Sequence, residues 1–403
     1  LAMERSVDVL IIGAGVAGLT AAMRLKQANV SDILVLDARD RIGGRVATTV
    51  FRGVELSTGP MYVHGDINNP ISRLVKHLKL PVHPPDYSGF GKRSFAARLA
   101  SSGENVAYQF AAVAAKHHEA LHKLSTLSIP PTDQSETAAM TACGWNPVSH
   151  LERTFDVLRN DLYNGLASHY ASAYSGKVCC IFEDEEDTEY VLSHGDGYQC
   201  VIEHLAKKAD LFNDTNKLSL STIVDTVIWR VTVPPTLLFP LNSPLSTNID
   251  AHISFDPPLP TQKQEALRLV KLSNYSRVLV AYQECFWDPV DVILRIDDLQ
   301  PICSKMSADE LAAEVGSALA SMYPEKADIA MKPLEVKFIS WNEDAFAGGA
   351  FATALVGFNK TRETELCSTS RSMNMGTELN FGDCTDMDAE PMKRCMARPK
   401  VPP

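Results

Sequence analysis

Residues 9–19 read Val9-Leu10-Ile11-Ile12-Gly13-Ala14-Gly15-Val16-Ala17-Gly18-Leu19. An apolar strand feeds a Gly-x-Gly-x-x-Gly turn, and a helix-forming stretch follows. In this pattern the first glycine permits a tight turn, the second lets backbone approach a pyrophosphate, and the third lets the helix pack closely on the strand. The start of such a helix offers free N–H groups and the positive end of its dipole to an anion. A second apolar run, Ile33-Leu34-Val35-Leu36, ends at Asp37, nineteen residues after Gly18. An acidic side chain at that distance accepts hydrogen bonds from ribose hydroxyls. The spacing predicts a strand–turn–helix–strand unit over 7–37 that grips a dinucleotide through Gly13, Ala14, Gly15, Val16, Ala17, Gly18 and Asp37.

Composition limits what surrounds this unit. A chain of 403 residues with 45% hydrophobic and 22% charged residues is that of a globular protein of two domains, or three small ones. The net charge of -11 argues against a nucleic-acid partner and is compatible with a cationic substrate. No apolar stretch approaches the ~20 residues of a membrane span. No signal peptide is visible ahead of the first strand, and the sequence opens on Leu1 rather than Met. A cytoplasmic location is expected. A secreted one stays open if an upstream segment is missing, because sequons stand at Asn29, Asn213, Asn274 and Asn359. The 9 cysteines show no Cys-x-x-Cys spacing and read as reduced thiols.

Further along, Asn69-Pro70 opens a predicted helix with Ile71, Leu74, Val75 and Leu78 on one face, and Pro81 stops it. Residues 92–128 read as mostly helical. Leu151, Phe155, Leu158 and Leu162 mark another helix. The acidic run 183–189 reads as a solvated loop. Gly195-Asp196-Gly197 precedes a helix carrying Val201, Ile202 and Leu205. Residues 231–260 are Pro-rich and read as irregular. Val278, Val280 and Tyr282 alternate as a strand, and 334–339 is strand-like. Ser307 and Glu310 form a capping box that opens a helix with Leu311, Val315 and Leu319 on one face. No element is expected in 361–403.

The segment after Asp37 chooses among dinucleotides. It reads Ala38-Arg39-Asp40-Arg41-Ile42-Gly43-Gly44-Arg45, followed by Gly59-Pro60-Met61-Tyr62-Val63-His64-Gly65 and by Asn69-Pro70. Adjacent glycines let backbone approach a bulky ligand, and flanking arginines can pair with a pyrophosphate. Over residues 7–75 the chain resembles the flavin-containing amine oxidases, with the closest likeness to polyamine oxidases and the flavin-dependent lysine demethylases. Tyr62 stands where that family usually has Trp. Weaker likenesses extend to about residue 357. They include the helix after Gly195-Asp196-Gly197-Tyr198, the strand around Val224 whose backbone meets the adenine, the Val233-Pro234 corner, and Trp341 near the flavin.

The resemblance implies an α/β fold in which a Rossmann-like FAD-binding domain is joined to a mixed-sheet plus helical substrate domain. The implied FAD segments are 1–75 and 191–255, and the substrate segments are 76–190 (helical) and 256–345 (sheet). Residues 346–403 would be a remnant of the FAD domain followed by an irregular tail. The implied cofactor is FAD, held by the residues of the glycine turn, Asp37, Ala38, Arg39, Gly43, Gly44, Arg45, Gly59, Pro60, Met61, Tyr62, Val224 and Trp341. The implied reaction is hydride transfer from an amine carbon to flavin N5. Reoxidation by O2 gives hydrogen peroxide, and the imine hydrolyses to an aldehyde. The implied partners are a small amine such as a polyamine, and O2. His64 is expected to touch substrate or flavin.

Three departures from the family pattern bear on that expectation. Arg277 occupies the position of the family's lysine, and arginine effectively cannot give up its proton. Trp229-Arg230 runs directly into Val231, where the family inserts a hairpin. The family's Gly-Glu motif and its following helix have no match in 361–403. A catalytically impaired FAD-binding relative is therefore a second reading. A third is a zinc hydrolase, because His118-Glu119-Ala120-Leu121-His122 fits His-Glu-x-x-His on a helix. The glycine framework spans far more sequence than those five residues, and no metal is expected.

Overall fold

The protein is described here from a computed structural model. It covers residues 7–30, 32–64, 69–83, 95–127, 133–173, 189–192, 197–212, 217–222, 236–238, 258–273, 275–290, 292–297, 306–367, 369–371 and 378–380. In chain order the strands that matter are β1 (Val9–Ile12), β2 (Ile33–Leu36), β3 (Thr48–Phe51), β4 (Val54–Ser57), β5 (Tyr62–His64), β6 (Val82–His83), β7 (Phe95–Leu99), β8 (Glu189–Leu192), β9 (Leu218–Ser219), β10 (Thr236–Leu238), β11 (Val270–Leu272), β12 (Ser276–Ala281), β13 (Val292–Ile296), β14 (Glu335–Ser340), β15 (Ala352–Ala354), β16 (Thr369–Arg371) and β17 (Glu378–Asn380). The helices are α1 (Val16–Gln27), α2 (Pro70–Leu78), α3 (Ala107–Thr126), α4 (Glu136–Ala142), α5 (His150–Asp156), α6 (Gly197–Lys208), α7 (Thr261–Arg268), α8 (Ala308–Met322) and α9 (Lys360–Cys367).

The expected dinucleotide unit forms. Strand β1 pairs in parallel with β2 in register Val9–Ile33 to Ile12–Leu36. The six-stranded sheet runs β16-β17-β10-β1-β2-β9. Helix α1 returns from β1 to β2 across its face, as a parallel pair requires. Ile11, Leu19, Ala22, Ile33 and Val35 are buried, and α6 closes the same core with Val201, Ile202 and Leu205. A β-carbon built at position 18 would lie 1.9 Å from the Gly13 carbonyl oxygen, so only glycine allows α1 to start this close to its own turn.

Two sequence expectations are corrected in this sheet. Residues 236–238, inside the stretch read as irregular, form β10 and pair in parallel with β1. Residues beyond 360 were expected to hold no element. They contain α9 and the strands β16 and β17, and β17 pairs with β10. These strands have three residues each, too few to show a period. Their pairing is long-range, so local sequence cannot announce it.

A second set of elements lies outside this sheet. The β12–β14 ribbon is antiparallel, with Ser276 opposite Ser340. Strand β11 pairs antiparallel with β15, and β13 pairs in parallel with β7. Strand β7 falls within the stretch read as mostly helical, ahead of α3. A helical core of Phe110, Met140, Trp145 and Phe155 packs on the β7–β13 pair. The caps act as expected. The Asn69 side chain accepts from the Ile71 amide at 2.8 Å, and Ser307 and Glu310 complete their reciprocal box. Of the acidic run, only Glu189 is described, and it opens β8 rather than a loop. The other residues of that run lie outside the described residues.

The helical part buries a polar knot where α5 passes into a π-turn at Val157–Asp161. Trp145 Nε1 and Asn160 Nδ2 both donate to Asp156 Oδ1, each at 2.6 Å. The Asn164 amide donates to Glu136. Burial pushes the Glu136 carboxyl up to about 7; the Asn164 bond opposes this, and the nearby Asp156 and Asp161 charges add to it.

Two outcomes follow for stability. The folded chain binds the Glu136 proton more tightly than the unfolded chain, whose carboxyl has the ordinary value of 4.5. The stability this group contributes is present below 4.5 and is lost as pH rises through about 7, by about 3 kcal/mol at most. Glu136→Gln should flatten that part of the urea-unfolding profile between pH 5 and 8, and an unchanged slope would contradict the assignment. Gly18→Ala should lower stability by about 3 kcal/mol, the upper part of the range for overpacking. A urea midpoint within about 0.5 kcal/mol of the wild type would contradict the close contact.

Candidate dinucleotide and flavin site

The site is built at the C-terminal ends of β1 and β2. The Gly13 amide donates to the Leu36 carbonyl at 2.7 Å, which fixes the turn against the neighbouring strand. Asp37 then ties the two strand ends together. Its Oδ2 accepts from the Ala14 amide at 2.7 Å and its Oδ1 from the Arg39 amide at 2.9 Å. Each carboxylate oxygen keeps a further lone pair. The first intrahelical bond of α1 is Leu19 N to Gly15 O at 3.0 Å. Among the described residues the amides of Val16, Ala17 and Gly18 find no carbonyl partner, as in the first turn of any helix. Those amides and the helix dipole favour an anion in front of Gly15.

The loop after Asp37 wraps this turn. Gly15 and Gly43 form a parallel bridge, and the Gly43 amide donates to Ala14 O at 2.8 Å. Positions 15 and 44 face each other. A β-carbon at Gly44 would lie 3.4 Å from Gly15 Cα. Arg41 knots the loop from inside, donating to the carbonyls of Ile42, Val46 and Gly44. Burial lowers the Arg41 pKa, with the Arg39 charge adding to the effect.

Two arginines read from the sequence as pyrophosphate partners are engaged within the protein. The Arg39 guanidinium makes a bidentate pair with Asp344, at 2.9 and 2.7 Å. Arg45 is half-buried, which lowers its pKa, and donates to the Ala350 carbonyl at 2.7 Å. In the structure both forks end on oxygens of the protein.

The stretch 57–62 forms the other wall. Gly59 packs on the Arg45 carbonyl, where a β-carbon would come within 2.1 Å. Ser57 Oγ donates to Pro60 O at 3.0 Å. Met61 O accepts from the Leu192 amide, and Tyr62 O accepts from the Tyr198 hydroxyl at 2.6 Å. The β12–β14 ribbon reaches this wall from the second set of elements. Arg277 donates to Ser57 O at 3.2 Å, and the buried Trp341 indole donates to Thr58 O at 2.9 Å. Arg277 and Trp341 thus meet neighbouring carbonyls, although 64 positions separate them in sequence. His64 ends β5 opposite Glu189. Its side chain, and the whole of Val224, Trp229 and Arg230, lie outside the described residues.

The His-Glu-x-x-His pattern takes a different place. His118, Glu119 and His122 are exposed on α3, and Glu119 pairs with Lys123 at 2.7 Å. The buried histidine of that helix is His117. It lies against Trp145 and Phe155 and bonds Asn160. Burial lowers its pKa to about 4; the Asn160 bond opposes this, and the Arg159 and His118 charges add to it. Sequence reasoning did not find Asp344, Ser57 or Thr58, and it met Tyr198 only as part of the motif that opens α6. Each had a signal nearby: Asp344 lies three residues beyond Trp341, and Ser57 and Thr58 stand just before Gly59.

The sequence model of the flavin containing amine oxidoreductase family matches residues 16–362. The chain is 23% identical over 415 residues to polyamine oxidase 1 of Zea mays, covering 89% of this chain and 82% of that protein. It is 25% identical over 317 residues to polyamine oxidase 6 of Oryza sativa subsp. japonica, of whose length it spans 61%. A short stretch of 87 residues is 42% identical to human lysine-specific histone demethylase 2. Among solved structures, a putrescine oxidase redesigned at its cofactor site superposes with a TM-score of 0.64 at 19% identity, covering 93% of this chain and 92% of the other. The family match rests on the whole chain, while at the turn the glycines 15, 43 and 44 let the loop backbone pack directly on the start of α1. The chain belongs to the flavin containing amine oxidoreductase family, whose members are FAD-dependent oxidoreductases that act on amines.

Proposed function

We propose that this chain oxidises a small aliphatic amine of the polyamine class, with O2 as the terminal electron acceptor. The observation that carries the reading is the junction of the open first turn of α1 with Asp37 at the end of β2. The likeness to polyamine oxidases points to the amine class. FAD held there would supply the two-electron chemistry at the carbon next to the amine nitrogen. The residues of this chain do the rest. The amides of Val16, Ala17 and Gly18 hold the diphosphate, and Asp37 orients the ribose. Trp341 and Arg277 fix the wall at Ser57 and Thr58 against which the reacting groups lie. The amine reacts in its neutral form, which a partly buried site favours by desolvation. The imine product hydrolyses to an aldehyde, and the electrons leave on O2 as hydrogen peroxide.

A second reading is a flavin-binding relative with little turnover. Arg277 favours it. Its guanidinium is bonded to the main-chain carbonyl of Ser57, where the family pattern has a lysine. Expression of the chain followed by an absorbance spectrum and a peroxide assay on spermine, spermidine and putrescine separates the readings. The expected outcome is a yellow protein that bleaches with one of these amines in the absence of O2 and forms peroxide in air. A yellow protein without turnover on a broad amine panel would establish the second reading. A colourless protein that gains no thermal protection from added FAD would overturn both.

A further inference from the structure

We propose that residues 341–350 form a strap that holds the dinucleotide cradle in its binding shape, with Asp344 as the positioning residue acting through Arg39. The proposal rests on the flavin reading of the glycine turn and goes beyond it to residues that make no part of that turn. Four contacts tie the strap to the cradle. Asp344 takes both arms of the Arg39 fork. The half-buried Arg45 guanidinium reaches the Ala350 carbonyl at 2.7 Å. The Trp341 indole donates to Thr58 O, and Trp341, Ala347 and Ala350 pack on Ala47.

The strap is shaped by the same carboxylate that anchors it. Asp344 Oδ1 accepts from the amides of Phe346 and Ala347, both at 2.9 Å, and its carbonyl accepts from Ala347 and Gly348. The turn therefore forms around Asp344 and presents Phe346 to the Arg39 guanidinium, whose carbon lies 5.3 Å from the ring centroid. Burial disfavours the Asp344 carboxylate. The bonds and charge of Arg39 and the two amides outweigh that cost and hold its carboxyl below the ordinary value. On the cradle side, the Arg39 amide donates to Asp37 Oδ1, so the residue that grips the strap is also bonded to the ribose-facing acid. A pull on Arg39 reaches Asp37 through two covalently adjacent contacts. Arg39 and Arg45 flank the adjacent glycines Gly43 and Gly44, so the strap is held at both ends of the loop that wraps the turn.

The test compares FAD release from the purified holoenzyme on dilution, followed by flavin fluorescence, for wild type, Asp344→Asn, Asp344→Glu and Phe346→Ala. The flavin-free thermal midpoint of each is measured alongside. Asp344→Asn should release FAD about tenfold faster, and Asp344→Glu should restore most of the difference, because it keeps the charge-assisted pair. Phe346 is 46% exposed, so its truncation leaves the core intact and should speed release about two- to threefold. Release rates equal to wild type in all three variants would overturn the strap, whatever happens to the flavin-free midpoint. If Asp344→Asn does not fold, the Phe346→Ala rate decides in the same way. A wild-type chain that never holds flavin would overturn the flavin reading itself, and the strap with it.

Discussion

Helix α1 begins within contact distance of the turn that feeds it, and it does so because position 18 carries no side chain. That approach sets everything around it. It aims the unpaired amides of the first turn past Gly15, and it brings Ala14 to the carboxylate of Asp37 at 2.7 Å. The loop 38–46 can then fold over the turn, with Gly43 bonded to Ala14 and Arg41 stitching its own backbone. Move α1 outward by one methyl group and the Asp37 bond, the Gly15–Gly43 bridge and the anion site all lose their partners together.

The second set of elements is attached to this cradle by a few directed contacts. Arg277 and Trp341 grip the carbonyls of Ser57 and Thr58, while Arg39 and Arg45 grip residues 344 and 350. Each arm is long, cationic or aromatic, and ends on a backbone or carboxylate oxygen. Such contacts are directional and low in count, so they set geometry more than they add stability. The arginines of the loop after Asp37 thus tie it to itself and to residues 344 and 350.

Much of the cradle was legible in the sequence, because its signals are local and chemical. The glycine spacing, the acid after the second apolar run and the Asn69-Pro70 cap each follow from contacts over a few residues, and each stands where expected. The parts that were not legible are long-range. Thr236–Leu238 and Glu378–Asn380 carry no period, and they become strands by pairing with each other and with β1. Asp344 is an ordinary exposed-loop acid until Arg39, 305 positions away, supplies its partner. The His-Glu-x-x-His stretch misled in the other direction. Its spacing puts two histidines on one face of α3, and that face is the exposed one.

The most direct test of the account is a crystal structure of the chain grown with FAD. The account predicts the diphosphate against the first-turn amides of α1, with the adenosine ribose on Asp37. Density for FAD anywhere else on the molecule, or a chain that crystallises without it from an excess of the cofactor, would contradict it.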